Sequence, residues 1–142
     1  MTASIRMARH LLAAIALTHL VVPIGIAVTE DRLRDQIARE HLELTQRAVA
    51  ASADVAVLAA AVFHGILLVL CVLPLWKLGT GRPWTRTLTT VVQPLSVVFG
   101  VVSWTSSPMF HAVIPIVSAA QLATVALLWL PGSARAFFNE RS

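Results

Sequence analysis

The chain has 142 residues, of which 57% are hydrophobic and only 13% charged, and its mean hydropathy is +0.78. Soluble domains carry roughly 25% charged residues. No soluble core of this size hides so many apolar side chains, so lipid is expected as the solvent for much of the surface. The net charge of +4 is spread singly or in small groups beside apolar segments, which suits orientation in a bilayer rather than a nucleic-acid face.

The first apolar run, about residues 8–28, follows Arg6 and Arg9. Gly25-Ile26-Ala27 resembles a signal-peptide cleavage site, but the run is long enough to span a bilayer and is read as a retained helix, bent by Pro23. Residues 29–47 are of another kind. Glu30, Asp31, Asp35, Glu40 and Glu43 nearly balance Arg32, Arg34, Arg39 and Arg47. Glu30–Arg34, Asp35–Arg39 and Glu43–Arg47 have the acid four residues before the base, the favourable order on a helix. With no Gly or Pro from Asp31 to His64, the spacing predicts a polar helix outside the membrane that runs on into the second span.

That span, 55–76, and its return, 87–106, each have about the 20 residues that cross roughly 30 Å of hydrocarbon. Asp54 opens the first of them as an interfacial residue. A basic turn, 77–86, joins them, broken by Gly79, Gly81 and Pro83. Its glycines lack the spacing and the preceding strand of a phosphate loop. A tight outer turn is expected at Ser106-Ser107-Pro108, then a fourth span over 111–130. The tail, 131–142, sets Arg135 and Arg141 beside Phe137 and Phe138, as in a short amphipathic end on the inner leaflet.

Basic residues mark one side of this layout (Arg6, Arg9, Lys77, Arg82, Arg86, Arg135, Arg141), which places both termini in the cytoplasm. Trp76, Trp84 and Trp129 fall at the inner interface and Trp104 at the outer one, where amphipathic rings prefer to sit. With Arg82 and Arg86 they are expected to anchor the chain at the headgroups.

Set at a common depth, the four spans bring His19, His64, Gln93 and Gln121 near the bilayer midplane, with Ser96, Ser118 and Thr124 close by. A polar side chain in hydrocarbon must face a protein interior and find a partner. One reading makes this layer interhelical glue, helped by close approach at Ala61-x-x-x-Gly65 and Ser96-x-x-x-Gly100. A second makes His19 and His64 ligands of a haem b or a metal pair. A third makes the layer the site of a small transporter. Cys71, the single cysteine, excludes an internal disulfide and reads as a buried hydrophobe. His111 is expected at the outer interface, with an external metal site beside His41 or Asp54 as its sharper alternative. No Ser/His/Asp or Cys/His set meets at one depth, and the reading is therefore non-enzymatic.

The layout, together with Gly81-Arg82-Pro83-Trp84-Thr85-Arg86, resembles the small four-span inner-membrane proteins of high-GC Gram-positive bacteria, whose function is unknown. Those carry a cytoplasmic Gly-Arg-x-Trp-x-Arg turn. The Arg-rich, Ala- and Val-rich composition fits the same source, and the resemblance implies a bacterial plasma membrane but no activity. The expectation is one all-α membrane domain: four transmembrane helices in an antiparallel bundle, with a polar extracytoplasmic helical extension between the first and second. Its partners are the lipid bilayer and either a second copy or another membrane protein. It acts as a non-catalytic accessory or self-associating subunit.

Overall fold

A computed structural model describes residues 1–106 and 110–139. Among these there are helices and no strand: α1 (Ala3–Val28), α2 (Glu30–Glu40), α3 (Gln46–Lys77), α4 (Pro83–Ser106), α5 (Val113–Trp129) and α6 (Gly132–Asn139), with a 3₁₀ turn at Leu78–Thr80 between α3 and α4. Helices α1, α3 and α4 are each long and apolar enough to cross a membrane. The pair α5 and α6 qualifies as a fourth only if taken as one span, bent by 65°. The expected outer turn at Ser107-Pro108, and Arg141 in the tail, lie outside the described residues.

The expected continuous helix through residues 29–47 is broken. Helix α2 ends at Glu40, where the His41 N–H closes on the Ile37 carbonyl at 2.9 Å. Helix α3 then restarts behind Thr45, whose Oγ1 accepts the Ala48 N–H at 3.3 Å while its carbonyl takes the Val49 N–H at 2.9 Å. A threonine N-cap supplies a new start where no glycine or proline forces a stop. Glu43 consequently sits in the connection, 3.2 Å from His41 Nδ1, and does not reach Arg47. Of the three expected pairs Glu30–Arg34 forms, with Arg34 also 3.4 Å from Asp54 on α3. Asp35–Arg39 makes no ion pair. The two carboxylates beside Arg34 raise its pKa further above its ordinary value. The backbone and His41 hold the Glu43 carboxyl below its ordinary range.

The basic turn is shorter than 77–86. Gly81, at φ 71°, takes the left-handed conformation that ends the 3₁₀ turn, which a residue with a Cβ adopts only with strain. Pro83 then starts α4, where its missing N–H costs nothing. Thr85 Oγ1 folds back on the Arg82 carbonyl at 2.7 Å. Trp84 and Arg86 are thus helical residues.

The backbone sorts into two compact units, residues 1–18 with 67–142, and residues 19–66. In the first, Ile5 and Ala8 of α1 bury with Leu78, Leu128, Ala134, Phe137 and Phe138. Further along α1, Leu12, Ile15 and Ala16 bury with Cys71 of α3. These α1 positions recur at helical spacing on one face. The tail's phenylalanines, expected on lipid, therefore face protein. Helices α4 and α5 run antiparallel. A Cβ at Gly100 would come within 3.5 Å of Ile114 and 3.7 Å of Ser118, so the Ser96-x-x-x-Gly100 face does admit a close neighbour. Ala61-x-x-x-Gly65 does not, since a Cβ at Gly65 would meet nothing within 4 Å. In the second unit, α2 buries none of its residues.

Replacing Thr45 with alanine should cost about 1 kcal/mol of local stability at the start of α3, the usual value of an N-cap. Amide exchange of residues 46–48 should then rise about fivefold, and Thr45→Ser should restore protection. Acidification should loosen the same connection. Glu43 titrates below its ordinary range when folded, so its contribution is present at neutral pH and disappears as pH falls through that lowered value. His41→Ala should shift the loss to higher pH, read from amide exchange at 41–45.

Candidate functional site

The candidate site is the set of polar side chains carried by otherwise apolar helices. Helix α4 shows the pattern most plainly. Its buried face is Thr85, Thr89, Gln93 and Ser96, with Val92, whereas Val91, Leu95, Val98, Val101 and Val102 are exposed. Helix α5 repeats it, burying Gln121 and Thr124 and exposing Ile116 and Leu122. The threonines satisfy themselves locally: Thr89 Oγ1 donates to the Thr85 carbonyl at 2.8 Å and Thr124 Oγ1 to the Ala120 carbonyl at 2.7 Å. Gln121 reaches across instead, donating Nε2–H to Ser96 Oγ at 2.8 Å.

The four expected midplane residues are engaged as pairs. In the first unit, beside Gln121–Ser96, Gln93 donates to Cys71 Sγ at 3.4 Å, which leaves Gln93 Oε1 buried without a partner among the described residues. In the second unit, His19 Nδ1 and His64 Nδ1 are 3.0 Å apart. That contact requires unlike tautomers, one ring donating and the other accepting. His19 Nε2 is buried and has no partner among the described residues, so the less costly assignment makes His19 the donor. Its second nitrogen then strands a lone pair rather than an N–H. Pro23 adds to this locally, since its missing N–H is the one that would bond the His19 carbonyl.

The interface residues behave differently from one another. Trp76 is 74% exposed, with Lys77 Nζ over its ring at 4.6 Å, and Trp84 is exposed as well. Trp104 stacks on His111 with ring centroids 4.5 Å apart, and His111 Nε2 meets the Trp104 carbonyl at 2.8 Å, so the histidine's described contacts are with α4. Trp129 is tied down by its Nε1–H, which donates to Thr90 Oγ1 at 2.7 Å. Arg86, read from the sequence as reaching phosphates or the cytosol, has its side chain buried. Its guanidinium lies 3.4 Å from the Trp129 ring centroid and 5.5 Å from that of Phe138. A basic turn read as an anchor thus contributes one arginine to helix packing through a cation–π stack. Neither the Arg86–Trp129 stack nor the Cys71–Gln93 bond was legible beforehand. The one signal for the second was that both residues lie mid-helix in neighbouring spans.

Among the described residues no group of three or more His, Cys, Asp or Glu comes together. What the arrangement can do chemically is exchange hydrogen bonds between helices. No family model matches the chain, and neither curated proteins nor solved structures yield a match.

Gln121→Leu should destabilise the α4–α5 pairing by about 1 kcal/mol, and Ser96→Ala by a similar amount. The double variant should cost little more than either alone, because both remove one bond. Reversible unfolding in mixed detergent micelles measures all three.

Proposed function

We propose that the chain is a multi-pass protein of a bacterial plasma membrane, with four spans in an antiparallel bundle and both termini in the cytoplasm. In this reading it works without catalysis, as an accessory or self-associating subunit. The observation that carries it is the inverted polarity of α4 and α5. Polar side chains inside and valines and leucines outside are what hydrocarbon selects, and the reverse of what water selects. Helix α5 rises about 26 Å over its 17 residues, nearly enough to cross by itself, and α6 then lies at the inner surface. The 32 residues of α3 rise about 48 Å. That excess lets residues 46–54 stand outside the bilayer, consistent with the exposed Asp54.

Charge supports the orientation. Arg6, Arg9, Lys77, Arg82, Arg86 and Arg135 share the side assigned to the cytoplasm, and the near-neutral α2 takes the other. The outer segment is the partner surface, because α2 buries nothing and Leu42 in its connection to α3 is 87% exposed. A photo-crosslinking residue in place of Leu42 should give one discrete adduct in intact membranes, either the chain's own dimer or a single larger species. A chain that stays monomeric after irradiation contradicts the subunit reading.

The contact between His19 and His64 keeps the second reading, a haem or metal site, in play. His19 and His64 would be the two nitrogen ligands of such a group, and neutral imidazole suits either a haem iron or a divalent metal. At 3.0 Å the two rings are placed as hydrogen-bond partners, which favours the packing role. Detergent-purified protein is therefore expected to be colourless, with an absorption spectrum and metal content unchanged in His64→Ala. A Soret band, or stoichiometric metal lost in that variant, would replace the packing role with a cofactor site.

A further inference from the structure

A cleft of about 390 Å³ opens at the start of α1, lined by Met1, Arg6, Arg9, His10, Ala13 and Leu75. Its cations are not scattered. Arg6, Arg9, His10 and Ala13 recur at i, i+3, i+4 and i+7, one stripe of a single helix. Directly beyond them on α1, Leu17 is 59% exposed, so the basic stripe runs on into an apolar one.

Arg9 is the most poorly satisfied cation there. Its Nη1 has as its acceptor the Met1 thioether at 3.7 Å, and its Nε is buried with no partner among the described residues. A thioether is a weak acceptor for a group that carries five N–H donors. The neighbouring turn comes close as well, since a Cβ at Gly79 would sit 3.4 Å from Arg9 Nη1. The described residues of the same unit bring no carboxylate to it. Every described acid falls between Glu30 and Asp54, outside residues 1–18 and 67–139. An anion entering the cleft would give Arg9 the acceptor it lacks among the described residues, and the apolar lining of Ala13 and Leu75 favours one attached to hydrocarbon.

We infer that this cleft binds an anionic phospholipid, its phosphate held by Arg6, Arg9 and the His10 imidazole and its acyl chains lying along Ala13 and Leu75. The inference rests on the membrane reading above. A phosphate oxygen displaces the Met1 thioether from Arg9, and the planar guanidinium offers it two donors at once. A zwitterionic lipid brings its own cation to the same place and gains less.

The test uses the full chain in neutral detergent, with native mass spectrometry of adducts formed with phosphatidylglycerol or phosphatidylcholine at equal concentration. Phosphatidylglycerol adducts should dominate. They should fall about fivefold for each of Arg6→Gln and Arg9→Gln, and stay unchanged in Arg32→Gln on α2. Arg6 is exposed, so its variant keeps the test valid even if Arg9→Gln loses helix content. Equal retention of the two lipids, or equal losses in Arg6→Gln and Arg32→Gln, would overturn the inference. Full displacement of phosphatidylglycerol by the same concentration of glycerol phosphate would also overturn it, assigning the cleft to a free phosphate. Alkaline carbonate extraction separates the two levels. A chain that stays in the membrane pellet but shows no lipid preference refutes only this site, whereas a chain released into the supernatant refutes the membrane reading beneath it.

Discussion

A polar side chain on an apolar helix must find its partner within the protein, and much of this structure follows from that constraint. Helix α4 turns Thr85, Thr89, Gln93 and Ser96 to the same buried face, which leaves Val91, Val98, Val101 and Val102 on the outside. Helix α5 must then bring Gln121 to Ser96 and pass close to Gly100, and the two run antiparallel with that register. In water this face would be a liability, because glutamines and threonines would gain little by leaving solvent. In hydrocarbon it is the only arrangement that leaves few donors unpaired.

The threonines and glutamines meet the constraint by different means. A threonine returns its hydroxyl to the carbonyl one turn back and needs no neighbour. A glutamine is too long for that and holds two helices together. The histidines are a third case. Each imidazole offers one donor and one acceptor when neutral, so a pair of them closes one bond and leaves two nitrogens over. His19 and His64 therefore specify one another's tautomer, a more exacting relation than the Gln121–Ser96 bond. Charge follows a separate logic. Acids are confined to 30–54 among the described residues, whereas the chain's first turns and the α3–α4 turn carry cations without carboxylates.

The helical class and the long apolar segments were legible because twenty-residue apolar runs have few other solutions. Among the polar residues the sequence singled out, His19, Gln93, Ser96, Gln121 and Thr124 are buried, whereas the equally buried Thr85 and Thr89 were not singled out. The pairing of these residues was not legible. Depth along a helix is a one-dimensional quantity, and the common depth expected for His19, His64, Gln93 and Gln121 does not say which of them is whose neighbour. The break at His41–Thr45 was missed because only glycine and proline were read as breakers, whereas a threonine able to cap the next helix is enough. The burial of Arg86 went unforeseen for a related reason. Its charge suggested phosphates or the cytosol, but Pro83 starts α4 early enough to bring Arg86 into the helix. There Trp129 offers an aromatic face, and charge alone does not reveal a stacking partner at the far end of the next helix.

The account depends above all on four crossings with both ends inside, and cysteine labelling tests that most directly. In a Cys71→Ser background, single cysteines would replace Asp35, Arg82 and Ser133, and intact cells would be treated with a membrane-impermeant maleimide. The account predicts that position 35 reacts from outside, and that 82 and 133 react only after the membrane is opened. Labelling of position 133 in intact cells would leave three crossings and contradict it.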